Sequence, residues 1–310
     1  LEFNYILNGY FTDKNILFKL NKQFTTHAKV LSFLEKSINF DYILEKLDSK
    51  KIKKKPPLPL NTSQIQQICS NQFNLSPNDT MKVCQKLYEK GLITYMRTTS
   101  KQLSKKFQNN VKDYLSDKYD TNLFTKIDNT EEHAHEAIRP TDVNKKTLDK
   151  SFSLIEQKVY KLIWKISIQS LMKDAVLLKH VFKINAPDDL EYNLILEEPV
   201  ELNWMIFDTL LDKLTELHYL NNFVNKSIKN KKIYTDISVK NQKQYYSEAK
   251  LVNVLEDYGI GRPSTFSSII EKLKTRKYVE KQHVKPKEKK FKKLVLENND
   301  IKKEDVIINY

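Results

Sequence analysis

Arginine and glycine are scarce in this chain of 310 residues, although basic residues are abundant. Only four of its 53 lysine and arginine residues are arginine, and it contains four glycines. Lysine is therefore the usual cation, so an arginine indicates a position that needs a planar, forked donor. A glycine indicates a backbone conformation that other residues avoid. The arginines are Arg97, Arg139, Arg262 and Arg276, and the glycines Gly91, Gly259 and Gly261 each lie within four residues of Tyr95 or Arg262.

The chain has two cysteines and no long apolar run. Cys69 and Cys84 fall on apolar faces of predicted helices and form neither a CxxC pair nor a disulfide framework. Structural zinc is therefore disfavoured, and a reducing intracellular compartment is expected. No run of about 18 apolar residues and no signal-peptide pattern is present, which predicts a soluble protein. The sequence starts without methionine in strand-like sequence, so we expect it to be part of a longer protein.

The net charge of +14 and the pI of about 9.3 predict a polyanionic partner, most commonly nucleic acid. Charge alone is weak evidence, because lysine, asparagine and isoleucine enrichment also follows from an AT-rich coding sequence. The 16 tyrosines and 15 phenylalanines could stack on bases. Composition therefore leaves open a non-catalytic module that binds single-stranded nucleic acid.

Sequence patterns divide the chain into four segments. A basic run at 50–55 is followed at once by prolines, which predicts a boundary: a solvated linker is favoured over one that lies along DNA. Capped, apolar-periodic helices are predicted beyond it, with Ser76 and Pro77 starting one that ends at Gly91. Alternation over 175–239 predicts strands, and residues from 244 onward are predicted to be helical.

The most informative motif is the decapeptide at 91–100, which contains Tyr95 and Arg97. On an extended backbone these two side chains would share one face. A phenol is a weak nucleophile at neutral pH, and a guanidinium can favour the phenolate while it also holds a phosphate oxygen. The motif therefore predicts attack on a phosphodiester. The apolar stripe of the preceding helix, which includes Tyr88, would give the nucleophile a rigid mounting.

Two further motifs carry phosphate-binding side chains. Residues 134–141 contain His135 and Arg139, and the HxHE spacing differs from the i, i+4 pair of a zinc helix. We therefore expect a histidine that hydrogen-bonds phosphate and no metal site. Residues 259–265 contain Arg262, Ser264 and Thr265 at a joint between two predicted helices. A helix start supplies free N–H groups for phosphate, although an ordinary helical corner would look similar.

These three motifs, in this order, resemble the type IA DNA topoisomerases, in the bacterial topoisomerase I branch. The resemblance spans nearly the whole chain and implies a multidomain α+β fold with a gate-and-arch architecture. The implied parts are an arch split between 1–57 and 176–243, a tyrosine domain at 58–175 and a helical DNA-binding part at 244–310.

The resemblance also implies a mechanism and assigns residues to it. Tyr95 would form a transient bond to a 5′ phosphate of single-stranded DNA, with strand passage and resealing that need no ATP, so that negative supercoils relax. Arg97 would stabilise the phosphoryl charge and His135 would hydrogen-bond the scissile phosphate. The implied DNA-binding residues are Arg139, Arg262, Ser264 and Thr265, and Gln85 and Glu89 would lie near the pocket.

Two features depart from the family pattern. Thr99 stands where the family usually has aspartate, which changes the electrostatics around Tyr95. The family's Mg²⁺-binding Toprim domain would have to precede residue 1, and no DxD occurs here in a strand-turn context. Expected partners are therefore single-stranded and negatively supercoiled DNA and a Toprim domain in cis or in trans.

A tyrosine recombinase is disfavoured because its tyrosine follows its arginines. A degenerate paralogue or a non-catalytic single-strand-binding fragment remains the alternative.

Overall fold

The computed structural model describes residues 2–119, 122–127, 135–208, 214–241, 245–282 and 285–310. The strands are β1 (Glu2–Tyr10), β2 (Leu17–Phe24), β3 (Tyr42–Lys46), β4 (Lys50–Lys54), β5 (Ala175–Ala186), β6 (Leu190–Glu201), β7 (Ser227–Ile228), β8 (Lys232–Lys240), β9 (Glu288–Glu297) and β10 (Asp300–Asn309). The α-helices are α1 (His27–Ser37), α2 (Thr62–Phe73), α3 (Pro77–Glu89), α4 (Lys105–Lys118), α5 (Leu154–Gln169), α6 (Leu214–Asn221), α7 (Glu248–Asp257) and α8 (Phe266–Thr275). The predicted multidomain α+β class is confirmed.

The strands form one antiparallel sheet in the order β10-β9-β8-β1-β2-β6-β5-β3-β7, with β4 also paired to β5. The two predicted arch segments, 1–57 and 176–243, thus meet in the same sheet through the β1–β8 and β2–β6 pairings. Aromatic side chains fill its core, with the Phe11 ring centroid 5.0 Å from Tyr42 and 4.9 Å from Tyr192. Helices α1 and α6 contribute buried leucines to this core.

The prediction of a linker at 50–55 is wrong for 50–54, which form strand β4. Lys50 to Lys54 pair in register with β5 from Lys179 back to Ala175. Four of the five residues of β4 are lysine, which an edge strand tolerates because its unpaired edge lies in water. Pro56 and Pro57 then stop the ladder, because proline has no N–H to donate. The chain leaves the sheet there and enters α2.

Helices α2 to α5 pack around a second core that includes Ile65, Leu87, Phe107 and Trp164. The sequence predicted the capping box of Ser153 with Glu156 at the start of α5, and the structure shows a second one, of Asn61 with Gln64, at the start of α2. Capping satisfies N–H groups that would otherwise lack partners at the helix start. The two caps thus set the first residues of α2 and α5. We call the part of the chain formed by α2 to α5 the helical body.

Helices α7 and α8 form a small third cluster that packs on α2 and α3. The prediction that 244–310 is helical holds for these two helices and is wrong for 288–309, which form the β9–β10 hairpin. Strand β9 pairs with β8, and Leu294 and Leu296 are buried in the core of the sheet. Asn298 and Asn299 take positive φ angles of 52° and 59° at the hairpin turn.

Among the described residues, no helix combines the length and the apolar character that crossing a membrane requires.

Candidate active site around Tyr95

The segment that carries Tyr95 is fixed to α3 and to the strand-like run at 137–141. As predicted, Gly91 ends α3 in the left-handed region at φ +68°, and the N–H of Leu92 donates to the Leu87 carbonyl at 3.0 Å. The Thr94 N–H donates to the Arg139 carbonyl at 2.9 Å, and the Thr94 hydroxyl donates to the Ala137 carbonyl at 2.8 Å. These bonds bring the first two sequence motifs together.

Beyond Tyr95 the backbone is held by the start of α2. Met96 is fully buried, and its carbonyl accepts a hydrogen bond of 2.7 Å from the Thr62 hydroxyl. The Thr98 N–H donates back to the same hydroxyl oxygen at 2.8 Å. Because Met96 is directed into the core, the flanking Tyr95 and Arg97 side chains lie together on the other face. The predicted shared face is therefore observed.

A hydrogen-bonded chain connects Glu89 to the Tyr95 hydroxyl. The Gln85 side-chain amide donates to Glu89 Oε1 at 2.8 Å, and its carbonyl oxygen accepts from Arg97 NH1 at 3.4 Å. Arg97 NH1 also lies 3.5 Å from the Tyr95 hydroxyl oxygen, which accepts from it. Glu89 thus fixes the orientation of the Gln85 amide, and Gln85 fixes the guanidinium. The sequence placed Gln85 and Glu89 near the pocket, and the structure connects them to it through Arg97.

Two rings flank the Tyr95 phenol. The His135 ring centroid lies 5.8 Å away at an interplanar angle of 48°, and the Tyr88 ring packs edge-on at 5.3 Å. The sequence placed Tyr88 only in the apolar stripe of α3. The one sequence signal that could have linked Tyr88 to the site is its position in the last turn of α3, just before the motif at 91–100. Together the two contacts restrict the rotation of the Tyr95 ring.

Arg139, for which the family resemblance implies a DNA contact, makes its hydrogen bonds within the protein. Its Nε and NH2 donate to the two carboxylate oxygens of Glu136 at 2.9 and 2.6 Å, and its NH1 donates to the Pro140 carbonyl at 2.9 Å. The guanidinium lies 4.5 Å from the Phe107 ring centroid, and its side chain is 14% exposed. All three nitrogens are therefore used inside the protein.

The partner of Arg139, Glu136, has a perturbed carboxyl group. Burial raises the pKa of Glu136, but hydrogen bonds from Arg139 and from the Ser104 N–H outweigh burial and hold that pKa below its usual range. The ionised pair ties the segment at 136–139 to the start of α4, because Ser104 is the N-cap of that helix. This pair therefore fixes the position of the neighbouring His135.

The third motif forms the turn between α7 and α8. Gly261 has a φ of +85°, and a side chain there would place its Cβ 2.7 Å from Ile269 Cδ1. The Thr265 hydroxyl accepts from the Arg262 N–H at 2.8 Å and contacts the Arg262 carbonyl at 3.1 Å. Thr265 is thus occupied in shaping the turn, whereas Arg262 and Ser264 reach the cavity described next.

All three motifs meet at a cavity of about 400 Å³. It is lined by Tyr95, Arg97, Thr98, Thr99, Ser100, His135, Arg262, Pro263 and Ser264. Two guanidinium groups, an imidazole and several hydroxyls face it, and within the described residues no carboxylate lines it. Such a set of donors favours an anion with several oxygens, such as a phosphate group. Thr99, which stands in place of the aspartate that the resemblance implies, is one reason that the lining has no negative charge.

Comparisons with known proteins agree with this arrangement. A family model described as DNA topoisomerase matches residues 5–304. A DNA topoisomerase 1 of prokaryotic type from Acanthamoeba polyphaga mimivirus is 31% identical over 275 residues, covering 82% of this chain and 32% of the relative. DNA topoisomerase 1 from Buchnera aphidicola subsp. Schizaphis graminum is 34% identical over 290 residues, covering 87% of this chain and 32% of the relative.

A solved structure shows the same fold. The full-length topoisomerase I of Thermotoga maritima superposes with a TM-score of 0.72 at 24% sequence identity, covering 91% of this chain and 48% of the other. The predicted gate-and-arch fold is thereby confirmed. The chain spans about a third of the length of the curated relatives that it matches.

Proposed function

Because this chain belongs to the type IA DNA topoisomerases, in their bacterial topoisomerase I branch, we propose that it carries the strand-cleaving centre of such an enzyme. The cavity that unites Tyr95 with Arg97, His135 and Arg262 is the observation that carries the proposal. Its substrate is a phosphodiester of single-stranded DNA. The reaction is a transient cut, passage of another strand and resealing, which relaxes negatively supercoiled DNA.

The Tyr95 oxygen is the nucleophile in this proposal. It attacks the phosphorus, a bond between the phenol oxygen and the 5′ phosphate forms, and the bond to the 3′ oxygen breaks. The phenol proton leaves to solvent or to a neighbouring base, and the departing 3′ oxygen gains a proton to become a hydroxyl. Resealing is the reverse reaction. Since one phosphodiester replaces another, no ATP is required.

Arg97 and His135 act on the reacting phosphate. The NH1 of Arg97 lies 3.5 Å from the Tyr95 hydroxyl oxygen. The same guanidinium can therefore reach a non-bridging oxygen of the phosphate that Tyr95 attacks. The His135 ring, 5.8 Å from the Tyr95 ring and in the lining of the same cavity, supplies a second donor. Gln85 and Glu89, which are not among the described residues that line the cavity, hold Arg97 in position.

Arg262 and Ser264 hold the DNA strand beside the reacting phosphate. They enter the cavity from the α7–α8 turn, which belongs to a different core from that of Tyr95. Thr265 shapes that turn through its bonds to Arg262. Arg139 serves as a positioning residue for His135 through its pair with Glu136, because each of its three guanidinium nitrogens donates a hydrogen bond inside the protein.

The residues that line the cavity do not fit a Mg²⁺ ion. Magnesium prefers carboxylate and water oxygens, whereas this lining contains two guanidinium groups and, within the described residues, no carboxylate. We therefore place the Mg²⁺ and the acid for the 3′ oxygen on carboxylates of the Toprim domain that the family resemblance implies, supplied in cis or in trans. The working enzyme is intracellular and associated with DNA.

The test is covalent trapping on a 3′-labelled single-stranded oligonucleotide. The full-length protein should yield a labelled adduct that survives denaturation and disappears after protease treatment. A basic module that only binds DNA would retard the oligonucleotide in a native gel without forming an adduct, and that result would exclude the proposed chemistry.

A further inference from the structure

A second cavity, of about 580 Å³, lies where the helical body joins the sheet, and we name it the junction groove. Its walls come from 55–57, from the end of α2, from α5 and from the turn after β6 that holds Trp204. It shares no lining residue with the Tyr95 cavity. Its volume is typical of binding pockets, which measure about 300 to 1,000 Å³. The proposed cleavage reaction does not use it.

The floor of the junction groove is held by hydrogen bonds. The Trp204 indole N–H donates to the Lys54 carbonyl at 2.8 Å, which fixes the ring against the end of β4. The Gln169 side-chain amide donates to the Trp204 carbonyl at 3.1 Å and to Asp208 at 3.3 Å. A preformed groove of this kind loses little conformational entropy when it is filled.

The rim of the junction groove is strongly basic. Among the described residues, four lysines line it, with Asp208 as their one carboxylate: Lys55, Lys158, Lys161 and Lys165. Asp208 already pairs with Lys165 at 2.5 Å, so the described part of the lining offers the other three lysines no charge partner. Lys158 and Lys161 lie one turn apart on α5, and the described residues offer the amine of neither side chain an ion pair or hydrogen bond. Adjacent like charges repel, and an anionic ligand would relieve that repulsion.

The floor is apolar, which distinguishes the junction groove from the Tyr95 cavity. Pro56, Pro57, Phe73, Leu162 and Ile166 contribute to it. Sites for single-stranded nucleic acid present open aromatic faces on which successive bases stack. Here proline and aliphatic side chains outnumber the two aromatic ones, Phe73 and Trp204. Such a floor is suited to an apolar side chain of a peptide.

We propose that the junction groove binds an acidic peptide segment of a partner protein, with an apolar or aromatic side chain as its anchor. The anchor lies on the apolar floor, and the acidic residues meet Lys55, Lys158 and Lys161 on the rim. This surface is independent of the Tyr95 chemistry, so either proposal can fail without the other.

The test is fluorescence anisotropy with a labelled synthetic peptide whose amino half is aspartate-rich and whose carboxyl half contains leucine and phenylalanine. The whole chain should bind it saturably, and added salt should weaken binding. The double variant Lys158→Glu/Lys161→Glu should weaken binding about tenfold or more, since two opposite charges become repulsive. The control Lys106→Glu/Lys112→Glu changes the net charge equally on α4 and should stay within about twofold.

Two further binding measurements identify the chemical class of the ligand. A peptide with serine in place of leucine and phenylalanine should lose most of its binding, because only the charges remain. An unlabelled oligothymidylate should not displace the labelled peptide from the groove. The proposal is overturned if the chain does not bind the peptide, if both double variants weaken binding equally, or if the serine peptide binds as well. Displacement of the peptide by the oligothymidylate, together with weaker direct binding of a labelled oligothymidylate by Lys158→Glu/Lys161→Glu, would instead identify a nucleic-acid surface.

Discussion

The NH1 nitrogen of Arg97 lies 3.5 Å from the hydroxyl oxygen of Tyr95, and it is also 3.4 Å from the Gln85 side-chain oxygen. One guanidinium therefore joins the nucleophile to a support on α3. The distances are long for hydrogen bonds, which leaves room for the guanidinium to shift toward a phosphate oxygen when DNA enters. Arg262 reaches the same cavity from a separate turn and has no such contact with Tyr95.

Arg97 and Arg262 should therefore have different effects when changed. Arg97→Lys should lower the rate of DNA cleavage by about 100-fold while binding changes less than about threefold, because a point charge replaces the fork. Single-turnover cleavage and an oligonucleotide titration measure the two quantities. A binding loss as large as the cleavage loss would contradict a role in chemistry.

Arg262→Ala should mainly weaken DNA binding. One lost phosphate contact should reduce the slope of log affinity against log salt by about 0.7, the value for single strands. Titrations at several salt concentrations measure that slope, with Arg276→Ala as a control that lies outside the Tyr95 cavity. An unchanged slope in Arg262→Ala would show that this arginine does not contact a phosphate.

The orientation of Arg97 should depend on Glu89 through Gln85. Glu89→Gln and Gln85→Leu should each slow cleavage about tenfold with binding nearly unchanged, because the guanidinium loses a fixed direction. Since both act on the same arginine, the double variant should lose little more than either single one. Fully multiplicative effects of the two changes in single-turnover cleavage would show that they act separately.

Gly261 should be more sensitive to substitution than Gly259. Both have positive φ, +85° and +66°, but a Cβ at Gly261 would meet Ile269 Cδ1 at 2.7 Å and one at Gly259 meets nothing within 4 Å. Gly259→Ala should cost about 1 kcal/mol for the left-handed backbone alone, and Gly261→Ala about 1–2 kcal/mol more. Denaturant unfolding compares the two variants. Equal losses of stability would mean that the close approach of Ile269 is relieved without cost.

The Glu136–Arg139 pair should stabilise the protein in a pH-dependent way. The pKa of Glu136 is lowered in the folded protein, so its contribution is fully present above the unfolded value of about 4.3 and is lost as the pH falls through the folded value. Glu136→Gln should cost about 1 kcal/mol at pH 7 and should make the decline below pH 4 shallower. Urea unfolding from pH 7 to pH 3 measures both, with Glu35→Gln on α1 as an exposed control. If the free energy of unfolding of Glu136→Gln fell with pH in parallel with that of the unmodified chain, Glu136 would not be the source of the pH dependence.

Local signals predicted much of the fold. The starts of α3 and α5 follow from the predicted caps at Ser76 and Ser153, because capping is decided within a few residues. Strand β4 and the β9–β10 hairpin were missed, since partners far along the chain determine them: β4 pairs with β5 and β9 with β8. In both segments, lysines obscure the alternation of the few apolar residues.

The candidate site was likewise predictable only where local sequence determines it. Tyr95 and Arg97 lie on one face because alternation is local, and the order of motifs indicated that His135 and Arg262 belong with them. The internal engagement of Arg139 was not predictable, because it depends on Phe107 and on the precise return of the chain at Pro140. Tyr88 was missed because its ring contact with Tyr95 arises only after the turn at Gly91.

The central claim is that Tyr95 forms the bond to DNA, and covalent trapping of the full-length protein with Tyr95→Phe tests it most directly. The matched control is Tyr88→Phe, which removes the hydroxyl of the ring 5.3 Å away and leaves Tyr95 intact. Tyr95→Phe should form no adduct with a 3′-labelled oligonucleotide and should bind it within about twofold of the unmodified protein, since only one oxygen is lost. Tyr88→Phe should still form the adduct. An adduct that persists in Tyr95→Phe, or that disappears only in Tyr88→Phe, would contradict the assignment of the nucleophile.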